Sequence, residues 1–90
     1  MNAKIRFQSS VATDLDIILS GYENNSGVTS NRVRASIRNT FKLIELFPEM
    51  YAIAFDDIRA VKTEKYPILI QYRVVDKIPV IVSVVFSGAP

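Results

Sequence analysis

The chain contains no cysteine and no histidine. Without cysteine it has neither disulfide staples nor thiolate metal ligands, as suits a reducing compartment. Without histidine it lacks the usual general base near neutral pH and the commonest metal ligand. Triad hydrolases and zinc enzymes are therefore poor readings, and any catalysis has to run on Lys, Arg, Tyr, Ser or carboxylates. No apolar run reaches the roughly 18–20 residues that span a bilayer. Met1-Asn2-Ala3-Lys4-Ile5-Arg6 alternates polar and apolar residues and holds no signal-peptide core. Internal repeats and low-complexity tracts are absent too. The expectation is a soluble, cytoplasmic protein with no membrane contact, no metal and no cofactor.

What is present is a short, apolar chain. Ninety residues make one domain, 1–90, and a domain of this size buries only about 60–65% of its unfolded surface. With 49% hydrophobic residues, a permanent or regulatory partner would be unsurprising. Net charge is only +2, but its distribution is uneven. Between Asn24 and Ile44 there is no acid, whereas Arg32, Arg34, Arg38 and Lys42 all fall there. A locally basic helix suits an anionic partner, either an acidic peptide or nucleic acid, or is simply a solvated face.

The apolar spacing orders the elements. Residues 3–8 alternate, with Ile5 and Phe7 on one face, as in a half-buried strand. Ser9-Ser10 offers an N-cap, with Asp14 and Asp16 placed to favour the positive helix end. Val11, Leu15, Ile18, Leu19 and Tyr22 form one helical stripe. Gly21 to Gly27 reads as a turn. A second helix from Thr29 or Ser30 carries Val33, Ile37, Phe41 and Ile44 and stops at Pro48. Three strands follow: Ile58–Thr63, Pro67–Val75 and, after a turn at Asp76–Pro79, the almost wholly β-branched Val80–Phe86. The last reads as a central strand; left at an edge it would be an aggregation hazard. The fold class is α+β in the order β-α-α-β-β-β, an N-terminal helix hairpin packed on a small antiparallel sheet.

Four stretches in that order resemble the RelE/ParE toxin superfamily, and its ParE-like plasmid-stabilisation toxins in particular. Ala12-x-Asp14-Leu15 stands where the family's first helix has an Asp-Leu pair. Leu46-Phe47-Pro48-Glu49-Met50-Tyr51 resembles the exit from the second helix. Asp57-Ile58-Arg59 and Lys65-Tyr66-Pro67-Ile68-x-Ile70-x-Tyr72 resemble its middle strands, and Val80–Phe86 its terminal strand. The resemblance implies the toxin of a type II toxin–antitoxin pair, inhibiting an essential target such as DNA gyrase and neutralised by a cognate antitoxin, as a homodimer or a heterotetramer with it. The ribonuclease branch of the family carries basic residues on the middle strands. Here Lys62 falls near one such position and Leu69 takes the place of an arginine. The His-x-x-Arg element of many members has no counterpart in Phe86-Ser87-Gly88-Ala89-Pro90.

Three functions stay open: a ParE-like toxin, a RelE-like ribosome-dependent mRNA endoribonuclease, and a degenerate non-toxic interaction module. For the nuclease the candidate catalytic residues are Arg59, Lys62, Arg73 and Tyr66, since cations can stabilise charge at phosphorus and a tyrosine can stack or move a proton. Arg59→Ala should then weaken toxicity and leave the fold intact. The plainer reading pairs Arg59 with Asp56 or Asp57, and Lys62 and Lys65 with Glu64. Tyr72 shares a face with Ile68 and Ile70 and reads as core. For a protein partner the candidates are Arg34, Arg38 and Lys42, with the surplus apolar residues Leu46, Phe47, Met50 and Tyr51, which a two-helix hairpin cannot all hide.

Overall fold

The computed structural model describes residues 4–25 and 29–87. The strand start expected at Ala3, the centre of the turn at Ser26 and Gly27, and Gly88 to Pro90 lie outside them. The elements are β1 (Arg6–Phe7), α1 (Ser10–Asn25), α2 (Ser30–Leu46), β2 (Ile53–Phe55), β3 (Ile58–Lys62), β4 (Ile68–Val75) and β5 (Ile78–Phe86). The architecture is α+β as expected, two helices lying on one face of a sheet ordered β1-β5-β4-β3-β2. Two features go beyond the sequence reading. β1 joins β5 in parallel, so the sheet is mixed, and β2 adds a fifth strand too short for periodicity to reveal.

Alternation places the core. Ile68, Ile70 and Tyr72 on β4 are fully buried beneath Val11, Ile18 and Leu19 of α1 and Val33, Ile37 and Ile44 of α2. On β5 Pro79, Ile81 and Val84 are buried, the last two lying three residues apart, which strict alternation forbids. The register slips there: Gln71 pairs with Ser83 and Tyr72 with Ile81, so Val82 is extra. This bulge returns both side chains to the helix side. β4 and β5 are joined through Asp76 and Lys77, both at positive φ (52° and 67°), the twist that a two-residue hairpin requires.

Helix α1 runs through Gly21 to Asn25, where the sequence reading had a turn. Tertiary packing outweighs the local turn preference. The Tyr22 ring meets Tyr66 edge-on at 5.5 Å and Phe86 at 5.9 Å. A Cβ on Gly21 would sit 3.5 Å from the Phe86 ring, an ordinary packing distance. Helix α2 ends as expected: Phe47, which has left the helical conformation before Pro48, gives its N–H to Leu43 O at 2.8 Å. Thr40, polar and so left out of the expected core, is buried because its hydroxyl donates to Ser36 O at 3.1 Å.

Asp14 does not serve the helix N-terminus as the sequence suggested. Its carboxylate accepts the N–H of Val84 at 3.1 Å. β1 pairs only with Val80 and Ile81, so the far half of β5, paired with β4 on one side, has no strand on the β1 side, and the Asp14 side chain takes up a donor that would otherwise be stranded there. Asp14→Ala should lower stability by about 1.5–3 kcal/mol, the cost of losing a charge-assisted bond and orphaning a half-buried N–H. Urea unfolding checks this; an unchanged midpoint would mean that the bond contributes nothing.

Candidate functional site

Helix α2 sorts its side chains into three rows. Val33, Ile37, Thr40 and Ile44 are buried. On one flank Arg34 and Arg38 rim a shallow groove of about 160 Å³ whose floor is Leu15, Leu19, Ile37 and Phe41. Lys42 continues this row in solvent, and the Phe41 ring is met edge-on by Phe7 at 5.2 Å. An apolar floor with a cationic rim suits an amphipathic segment that carries carboxylates.

On the other flank, Arg32, Ser36, Asn39 and Leu43 face β3 and the β3–β4 connection across a longer cleft. Its upper part, about 460 Å³, is completed by Glu64, Lys65 and Tyr66. Its lower part, about 280 Å³, is completed by Thr40, Tyr51, Val61, Lys62 and Glu64. Both share Ser36, Asn39 and Glu64 and form one channel. The connection bordering it is pinned by buried Thr63, whose N–H reaches Ile68 O at 2.9 Å and whose hydroxyl reaches Tyr66 O at 2.9 Å. The four-residue recurrence of Arg32 and Ser36, then Asn39 and Leu43, was readable in the sequence as a second helix row. It escaped notice because it mixes charge, hydroxyl, amide and alkyl groups.

The four candidate nuclease residues are not gathered. Arg59 pairs in register with Tyr72 and shares its helix-side face, whereas Arg73 is the next residue of β4 and points to the opposite face. The Arg59 guanidinium donates to Tyr51 O at 2.7 Å and Glu49 O at 3.3 Å. It does not pair with Asp56 or Asp57. The acid that does find a partner is Asp57, with Oδ2 3.2 Å from Arg73 Nε, close enough for ion pairing but without hydrogen-bond alignment. Glu64 forms no ion pair with Lys62 or Lys65 among the described residues. Only Lys62 and Tyr66 border the same channel.

Arg59 and Tyr72 act together on one loop. The Tyr72 hydroxyl donates to Pro48 O at 2.7 Å, so three carbonyls of Pro48 to Tyr51 are held from the sheet. Burial raises the Tyr72 phenol above its ordinary value, partly offset by the Arg59 charge, with Tyr51 adding to the rise. Tyr22 is raised as well, by burial and by Tyr66. Arg59→Ala is accordingly expected to cost about 1–3 kcal/mol by freeing those carbonyls, rather than leaving the structure untouched. Amide exchange should quicken from Glu49 to Ile53; unaltered exchange there would show that the loop holds itself.

The same fold occurs in known proteins. A chain of the chromosomal ParDE TA system from P. aeruginosa superposes with a TM-score of 0.80 at 20% identity, over 92% of this chain and 94% of that one. The isolated E. coli RelE toxin superposes with a TM-score of 0.70 at 13% identity, over 99% of this chain and 88% of that one. The fold is that of the RelE/ParE toxins. A chain of the intact E. coli RelBE toxin–antitoxin complex agrees, with a TM-score of 0.69 at 13% identity over 98% of this chain and 100% of that one. No family model matches the sequence, and no curated protein matches it. The RelE/ParE fold thus persists here at an identity of 13–20%. No helix among the described residues is long and apolar enough to cross a membrane, and no cluster of acids that could hold a metal ion occurs among them.

Proposed function

We propose that this chain is the toxin of a type II toxin–antitoxin pair, ParE-like in action, directed at an essential target such as DNA gyrase and neutralised by a cognate antitoxin. The observation that carries the reading is the whole-chain likeness to proteins of the ParDE and RelBE systems. The groove rimmed by Arg34 and Arg38, with Lys42 beyond it, supports an antitoxin segment that is acidic and apolar in alternation. Function does not follow from fold by itself, so the geometry has to separate the alternatives. A ribonuclease set built on Arg59 and Arg73 would need both on one surface, and they occupy opposite faces of the sheet. That favours action by binding over phosphodiester cleavage.

Expression from a tightly controlled promoter in a bacterial host tests the proposal, with growth, plasmid supercoiling and bulk mRNA followed together. The expected result is growth arrest with altered supercoiling or DNA breaks and intact mRNA, relieved by the protein of the adjacent reading frame. Ribosome-dependent mRNA cleavage would replace it with the endoribonuclease reading. Normal growth at confirmed soluble expression would leave a non-toxic interaction module.

A further inference from the structure

Strand β5 carries no charge from Ile78 to Phe86 and is mostly β-branched, the composition that pairs most readily with a copy of itself. β4 runs along its whole length on one side. On the other, β1 reaches only Val80 and Ile81; Gln8 then gives its N–H to Ile81 O at 2.9 Å and the chain turns away into α1. Beyond that point the ladder fixes where the backbone groups face. The Ser87 N–H crosses to Pro67 O at 2.7 Å, so alternation turns the N–H and C=O of Val84 and Phe86 away from β4, toward the open side. Such a row is a template for another strand.

One donor in that row is taken. The Val84 N–H is given to Asp14 Oδ2 at 3.1 Å. Asp14, Ile17 and Gly21 follow one another at helical spacing and share one flank of α1. Both ends of this flank lie beside β5, through the Asp14 bond and through Gly21, where a Cβ would sit 3.5 Å from the Phe86 ring. Ile17, 61% exposed, stands between them. A second copy turned antiparallel about Val85 would set Val84 of each chain against Phe86 of the other as hydrogen-bonded pairs. Asp14 opposes this. The incoming Phe86 C=O needs the Val84 N–H, so the carboxylate would have to give up its charge-assisted bond and remain at the interface without one, in both copies at once. The bulge at Val82 bends the same strand where β1 ends.

We propose that Asp14 is an edge guard, whose carboxylate keeps the Val84–Phe86 edge of β5 closed to the same edge of a second copy. The inference stands whether or not the chain is a toxin.

Sedimentation of the full chain over a range of concentrations tests it, with circular dichroism to show that each variant is folded. Asp14→Ala frees the Val84 N–H and should self-associate at least about tenfold more tightly than wild type. Asp14→Asn keeps the size and an acceptor oxygen, and should fall between the two, since a neutral amide is displaced more easily than a carboxylate. Tyr72→Phe weakens the fold without touching this edge and should associate as wild type does. Ile17→Lys added to Asp14→Ala should reverse the association, because it places like charges beside the edge in both copies. In the Asp14→Ala assembly the Phe86 amide should exchange at least about tenfold more slowly than in wild type. Wild-type behaviour of both Asp14 variants, equal association of Tyr72→Phe, no reversal by Ile17→Lys, or unchanged exchange at Phe86 would each overturn the proposal.

Discussion

Tyr72→Ala is expected to leave little folded protein at 37 °C. The ring is wholly buried at the centre of the core, and truncating a buried aromatic typically costs about 3–5 kcal/mol. Small domains have only about 5–15 kcal/mol in total. Tyr72→Phe keeps the ring and removes only the hydroxyl bond to Pro48 O, so it should cost about 1–2 kcal/mol and remain foldable. Urea titration of the two variants separates packing from the hydrogen bond. The phenol adds a pH signature. Its value is raised in the folded state, so its contribution to stability is complete below the ordinary value of 10.0 and is lost as pH rises past that toward the raised value. The wild-type midpoint should therefore fall more steeply above pH 10 than that of Tyr72→Phe. Parallel curves would show that the phenol ionises as easily folded as unfolded.

The second large effect belongs to the basic groove. Arg34→Glu with Arg38→Glu should weaken the antitoxin complex about 100-fold, near 2.7 kcal/mol, because two attractions become repulsions over an apolar floor. Both side chains are exposed, so thermal unfolding should be nearly unchanged. The loss should shrink as salt rises and screens the rim. In cells the double variant should stay toxic while escaping neutralisation. Undiminished affinity, measured calorimetrically with the protein of the adjacent reading frame, would move the antitoxin elsewhere. A joint loss of toxicity and antitoxin binding would instead mean that target and antitoxin share this face.

These two sites differ in how far they could be read from residues alone. Tyr72 was legible as core because it alternates with Ile68, Ile70 and Val74 on a long strand, and period two leaves one choice of face. Arg34, Arg38 and Lys42 were legible as one row because the helix repeats near every fourth residue. What they rim was not, since Leu15 and Leu19 come from α1 and meet α2 only when the hairpin closes. The partner candidates Arg34, Arg38, Lys42, Leu46, Phe47, Met50 and Tyr51 were taken as one surface. In the fold Arg34 and Arg38 border one groove and Tyr51 the other channel, while Leu46, Phe47 and Met50 are exposed.

Arg59 shows the limit most clearly. In the sequence it is a cation near Asp56 and Asp57, which invites either an ion pair or a phosphate. Its actual partners are backbone carbonyls of Glu49 and Tyr51, groups every residue has and no pattern marks. Asp14 is similar: a helix acid read as serving its own helix, in fact closing a gap in a strand 70 residues later.

The sequence by itself determined the order of every element but β2, the buried faces of both helices and β4, the stop at Pro48, and the exclusion of cysteine and histidine chemistry. Each follows from local periodicity or composition, which need no knowledge of what lies across the core. Only the tertiary structure decided the parallel β1 edge, the short strand β2, the bulge at Val82, the length of α1, the clamp on the 48–51 loop and the division of α2 into two flanks. Those depend on contacts between residues far apart in the chain, where burial and unsatisfied backbone groups outweigh local preference.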